Sequence, residues 1–246
     1  MKKIIAGAIV VTFLMLTSCS GLKYDETSEA DNRDKILSEN NSDAEQERQV
    51  DTEMYTRNTK ITDVINDEAF DDYGRLIFPV ESYYYSGDTL ENLRLTWYNN
   101  IDPDTTVEIV NHMKSAVMNG QTIFYDIYSE QEKKADPAKE DTGLFFFKGN
   151  EGEKFAVCNA GGAFTYVGAM QDSFPHALEL SKKGYNAFAL IYRPGAQTAC
   201  EDLSRALTFI FEHADELSVS TDDYSLWGGS AGARMAAWVG GYGTAE

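Results

Sequence analysis

Apolar positions divide the chain into three textures. Residues 4–16 are almost continuously apolar behind Lys2 and Lys3, residues 20–60 are polar with few large apolar side chains, and from Ile61 onward apolar and aromatic runs alternate with turn signals. In this last stretch, Tyr73-Gly74, Ser86-Gly87-Asp88 and Asn99-Asn100 punctuate strand-like runs at Leu93–Tyr98, Thr122–Tyr128 and Leu144–Phe147, a spacing that predicts an antiparallel opening to a sheet. A helix is predicted over Thr105–Met118. The rhythm then changes to strand and helix in turn. Phe155–Asn159 reads as a strand, Phe174–Lys183 as a helix closed by Gly184, Ala187–Tyr192 as a strand, Cys200–Leu217 as a helix and Tyr224–Trp227 as a strand. Leu203, Ala206, Leu207, Ile210, Phe211 and Ala214 recur at helical spacing and give the 200–217 helix one apolar face. Strands alternating with helices of this length predict an α/β domain: right-handed βαβ units and a mostly parallel sheet covered on both faces.

Composition fits a globular domain, with 43% hydrophobic and 25% charged residues. The charge of -19 repels phosphate backbones, so nucleic acid is excluded as a partner. Three cysteines are too few to staple a chain of 246 residues, and the core has to hold it.

Residues 1–18 carry a basic start, a short apolar run and small residues before Cys19, the layout of a secretory signal. Leu16-Thr17-Ser18-Cys19 resembles the bacterial lipobox, and that resemblance implies cleavage before Cys19, lipidation of Cys19, and anchoring at the extracytoplasmic face of the cell membrane. Residues 19–60 then read as an acidic, disordered tether with at most a short helix around Asp34–Leu37, since residues 20–60 hold eleven acidic and six basic side chains and no sustained helical period. The folded domain is expected over residues 61–246.

The chemistry lies at Gly228-Gly229-Ser230-Ala231-Gly232, between the last strand and the helical run Ala233–Val239. A serine flanked by glycines on a strand-to-helix turn is a nucleophile elbow: Gly228 and Gly232 give room, and the helix N-terminus favours developing negative charge. Asn159-Ala160-Gly161-Gly162-Ala163-Phe164 follows the first strand of the alternating run, the place where backbone N–H groups would meet an oxyanion. This order of strand, small-residue loop, helix, strand ending Ile191-Tyr192-Arg193-Pro194, helix opening Cys200-Glu201-Asp202-Leu203, strand and Gly-Gly-Ser-Ala-Gly resembles the α/β-hydrolase superfamily, over roughly Phe155–Tyr242. Within it the chain is similar to secreted serine esterases of the acetyl-xylan-esterase and feruloyl-esterase-like group. The resemblance implies that Ser230 is the nucleophile and that Gly161, Gly162, Ala163 and Ala231 frame the oxyanion hole. It implies cleavage of carboxylic esters carrying short acyl groups, on small molecules or polysaccharide, with neither cofactor nor metal. A peptidase activity is less favoured, and a catalytically silent surface lipoprotein is the alternative. Ala160 and Ala163 depart from the commoner loop pattern.

The same resemblance places an acid and a histidine after the nucleophile, yet residues 231–246 contain neither His nor Asp. His112, His176 and His213 read as ordinary surface or helix-end histidines. The expectation is therefore a chain truncated at its C-terminus, with the triad Asp and His beyond Glu246 and little hydrolysis by these 246 residues alone. Arg193 and Asp202 are expected to pair and hold the loop over the sheet, Cys158 and Cys200 each to be a buried free thiol, and Tyr83–Tyr85 and Phe145–Phe147 to pack in the sheet.

Overall fold

The computed structural model describes residues 53–98 and 100–243. The signal segment, the helix at 34–37, Cys19 and the tether up to residue 52 lie outside the described residues. The folded part begins earlier than its texture suggests, because residues 53–60, read as tether, are part of the domain. Tyr55 is buried, its N–H donates to Asn111 Oδ1 at 2.7 Å, and its carbonyl accepts from Asn111 Nδ2 at 2.9 Å. One large side chain among polar neighbours carries no period by which sequence could register it.

Strands β1 (Tyr85–Ser86) and β2 (Arg94–Leu95) form a small antiparallel pair, and β3 (Phe124–Tyr125), β4 (Gly143–Phe147), β5 (Lys154–Asn159), β6 (Asn186–Ile191) and β7 (Ser220–Gly228) form the main sheet. Its order is β3-β4-β6-β5-β7, antiparallel across β3-β4-β6 and parallel across β6-β5-β7. The antiparallel opening thus follows the pattern read from the turns, and the parallel half follows the strand-helix alternation. The helices are α1 (Ile61–Ile65), α2 (Pro103–Met118), α3 (Glu130–Ala135), α4 (Ser173–Lys182), α5 (Ala196–Glu212), α6 (Ala214–Leu217) and α7 (Ser230–Tyr242). Helix α2 starts where Asp102 accepts from Thr105 N–H at 3.0 Å and Pro103 occupies the first turn, two independent start signals. The predicted 200–217 helix is two, α5 and α6, broken at His213.

Both faces of the sheet are covered. Phe145 and Phe147 of β4 meet Phe174 of α4 at 5.1 and 5.9 Å between ring centroids. Phe146, pointing the other way, stacks on Phe188 at 4.5 Å, and Phe155 links Phe188 to Phe211 of α5. The Phe145–Phe147 run therefore serves sheet packing as expected, one ring to one face and two to the other. Tyr83–Tyr85 does not: Tyr83 and Tyr84 lie in a single 3₁₀ turn with Tyr83 exposed, and Tyr85 reaches only the two-residue β1. The predicted Leu93–Tyr98 strand likewise shrinks to β2, because Trp97 adopts φ 70° and turns the chain back.

The loop after β6 is tied down by a buried ion pair. Asp202, fully buried in α5, accepts from Arg193 N–H at 2.7 Å, from Arg193 Nη2 at 2.7 Å and from Tyr128 Oη at 2.7 Å. Arg193 also reaches Asp136 at 2.7 Å. Burial alone would lower the guanidinium's affinity for its proton, but the bonds and charge of Asp202 outweigh it and raise the pKa.

Candidate active site

Strand β7 is an edge of the described sheet, and Ser230 comes two residues after its last residue, Gly228. Ser230 is exposed and holds φ 48°, a left-handed conformation that is uncommon outside glycine and costs about 1–3 kcal/mol. Close packing maintains it. A Cβ on Gly232 would stand 2.0 Å from Asn159 O, and one on Gly228 would stand 2.4 Å from the Gly232 carbonyl carbon. Neither glycine could be larger without pushing the first turn of α7 away from the ends of β5 and β7. Asn159 clamps the same junction, with Nδ2 donating to Trp227 O at 2.9 Å.

The loop after β5 meets Ser230. A Cβ on Gly161 would lie 3.1 Å from Ser230 Cβ and 2.6 Å from Tyr98 Oη, so loop, serine and phenol converge on one point. Of the four residues expected to frame an oxyanion hole, three have unused N–H groups: those of Gly162, Ala163 and Ala231 have no partner among the described residues. Gly161 does not qualify as a donor. Its N–H is committed to Asp172 Oδ2 at 2.8 Å, a charge-assisted bond that no neutral carbonyl displaces cheaply. Gly161 instead supplies closeness. The backbone passes through φ 138°, 55° and 60° at Gly162, Ala163 and Phe164, a tight left-handed turn. Phe164 O accepts from Gly195 N–H at 2.8 Å, and Ala160 O from Tyr192 Oη at 2.6 Å, tying the loop to the segment that Arg193 and Asp202 hold.

Two residues of the site escaped the sequence reading. Asp172, buried just before α4, lies against Gly229, where a Cβ would come within 2.3 Å of its Oδ2. Tyr98 Oη has no partner among the described residues, and its phenol is harder to ionise than usual because of burial and the nearby charge of Asp172. Neither belongs to a motif; each matters only through where the chain brings it.

Ser230 Oγ has no hydrogen-bond partner among the described residues. His176 Nδ1 stands 3.5 Å from Asp172 Oδ1, but the carboxylate lies on the Gly229 side of the pair, whereas a general-base imidazole would stand between the serine and its orienting carboxylate. His112 stacks on Phe147, with its pKa lowered by burial and by Lys182. His213 stacks on Phe209 at the end of α5. Cys158 is a buried free thiol, as expected, and burial pushes its pKa up to about 12, whereas Cys200 is free but only half-buried at the start of α5.

A mixed sheet with helices on both faces, and a strained serine between a strand and a helix, define the class as the α/β-hydrolase fold. The BD-FAE family model matches residues 147–246. Among solved structures, the chain is similar to an acetyl ester-xyloside bifunctional hydrolase from Caldicellulosiruptor lactoaceticus, with 22% identity, 48% of this chain and 46% of that chain covered, and a TM-score of 0.44. It is also similar to an esterase from Thermogutta terrifontis, with 25% identity, 40% and 39% coverage, and a TM-score of 0.38. The chain thus spans less than half the length of either structure. No curated protein matches it.

Proposed function

We propose that the protein is a serine hydrolase that cleaves carboxylic esters through an acyl-enzyme on Ser230. The observation that carries this reading is the exposed Ser230 at φ 48°, facing a loop with unused N–H groups at Gly162 and Ala163 and followed by that of Ala231. In the first step Ser230 Oγ bonds to the ester carbonyl carbon while its proton passes to a base. The three N–H groups meet the oxyanion, and the alcohol leaves with that proton as the carbonyl re-forms. Water then reverses the sequence and frees the acid. Among the described residues no imidazole is hydrogen-bonded to Ser230 Oγ, so the base and its orienting acid are not assigned to a residue here. The substrates are short acyl esters, on small molecules or on polysaccharide, met at the extracytoplasmic face where lipid on Cys19 holds the protein.

A fluorophosphonate probe applied to membranes of cells expressing the protein from its own gene tests this directly. Labelling that disappears in Ser230→Ala supports the hydrolase. An unlabelled wild-type protein overturns it in favour of a silent surface lipoprotein that binds without turnover, a reading favoured by the lack of any imidazole on Ser230 among the described residues. Cys19→Ala should move the protein from the membrane to the soluble fraction; unchanged fractionation would remove the lipid anchor.

A further inference from the structure

Helices α5 and α7 follow the parallel strands β6 and β7, so their first turns stand together at the carboxyl ends of the sheet, where ligands of α/β folds bind. Between them lies a cleft of about 500 Å³ walled by Phe164, Ala196, Cys200, Met235 and Trp238, with Arg234 at its side. Two of its residues stand on the segments that carry the candidate site. Phe164 is the last residue of the oxyanion loop, and Arg234 lies four residues after Ser230, on the same face of α7 and about 6 Å further along its axis.

Arg234 is distinct from the other described arginines. Arg57 is paired with Asp104 and Glu91, Arg75 with Asp141 and Arg193 with Asp202, while Arg94 and Arg205 donate to the carbonyls of Leu93 and Ile127. Arg234 makes neither an ion pair nor a hydrogen bond among the described residues. Glu201, one turn into α5, is bonded instead to Gln197 Nε2 at 2.9 Å. In a chain of 40 acidic and 21 basic residues, a guanidinium left without a carboxylate beside an apolar cleft is complementary to an anion that arrives attached to apolar surface. Trp238, 59% exposed, offers the flat wall against which such a group would lie.

We propose that the α5–α7 cleft receives the non-reacting end of the ester, and that this end carries a carboxylate on an apolar chain or ring, which Arg234 binds. As a substrate assignment this rests on the hydrolase reading, but carboxylate binding in the cleft needs no turnover and is measured without it. The probes are 4-phenylbutanoate and 4-phenylbutanol, which share an apolar body and differ in charge, titrated into the 246-residue chain while tryptophan fluorescence is followed. The acid should bind about fivefold more tightly than the alcohol, and the preference should shrink as salt is added. Arg234→Gln, at an exposed position, should equalise the two. Trp238→Phe should remove most of the signal, marking the cleft as its source. Equal binding by the wild type, a preference that survives Arg234→Gln, or no quenching by either compound up to its solubility limit would overturn the proposal. The fluorophosphonate experiment fails independently: an unlabelled serine with the acid preference retained would overturn the hydrolase reading alone.

Discussion

The buried pair Arg193–Asp202 invites a quantitative test because every partner of the carboxylate is accounted for. Asp202→Asn keeps the shape but removes the charge and one of two acceptor oxygens: Oδ2 accepts from Arg193 N–H, while Oδ1 accepts from Tyr128 Oη and from Arg193 Nε at 3.0 Å and Nη2 at 2.7 Å, so an amide N–H₂ must face one of these donor sets. Breaking one side of a buried ion pair costs about 3–5 kcal/mol. The lower end applies here, since Nη1 keeps Asp136, whose side chain is 44% exposed. About 3 kcal/mol is a large share of the ~5–15 kcal/mol typical of a domain, and should lower the midpoint of thermal unfolding by about 6–12 °C. Urea unfolding followed by circular dichroism measures it. The double variant Arg193→Met/Asp202→Asn removes the stranded cation and should lose less than Asp202→Asn alone, giving a clear coupling energy. A loss below about 1 kcal/mol for the single variant, or simple additivity of the two changes, would refute the assignment of this pair as the anchor of the loop after β6.

Three further outcomes are expected. Asp67 is raised by burial but lowered more by bonds from Tyr55 and Lys114 and from Ala69 N–H, so its folded pKa lies below the ordinary one. Its stabilising contribution is therefore present above about pH 4 and is lost as pH falls from there through the folded value; Asp67→Asn should flatten that limb of an acid-unfolding curve, and an unchanged limb would show that Asp67 does not cause it. Gly162→Ala places a Cβ 2.0 Å from Tyr166 O at φ 138°, and should cost at least about 1–3 kcal/mol and reduce labelling of Ser230, whereas wild-type behaviour would mean that the loop is free to move. Iodoacetamide should spare Cys158 in the native chain, where burial holds its thiol at about pKa 12, and modify it only on unfolding; rapid native modification of Cys158 would contradict its burial in β5.

How much the sequence reveals depends on how local the cause is. Strands β4, β5 and β6 are legible as continuous apolar runs and helices α4, α5 and α7 as periodic apolar sets, whereas β7, none of whose residues is buried, is legible from its place before Gly-Gly-Ser-Ala-Gly. Residues 66–102 are not, because they pack through short 3₁₀ turns and two-residue strands in which Phe70, Leu76, Ile77, Leu90 and Leu93 are buried without any repeating interval. The elbow was readable because crowding around Ser230 has to be relieved within two residues of it. Asp172 was not, because nothing in its neighbourhood along the chain announces the Gly161 N–H it accepts from across the loop. The same bond explains why an oxyanion donor assigned to Gly161 by pattern turns out to be a structural one.

The glycines around the serine are better understood as spacing than as flexibility. Gly228 and Gly232 are not among the positive-φ residues, whereas Ser230 itself carries φ 48°. Alanine at either glycine is thus excluded by contact, with Gly232 closed by the carbonyl of Asn159 and Gly228 by the backbone of Gly232. The strained conformation is then a consequence of two strand ends being drawn together: β5 and β7 pair up to Asn159 and Gly228, the Asn159 amide reaches Trp227 O, and Gly229 N–H reaches Asn159 O at 3.3 Å. Ser230 is left no relaxed path from strand to helix. The serine's exposure is therefore encoded as much in Asn159-Ala160-Gly161, seventy residues earlier, as in the Gly-Gly-Ser-Ala-Gly turn, and the loop after β5 and the turn at Ser230 are two sides of one packed junction.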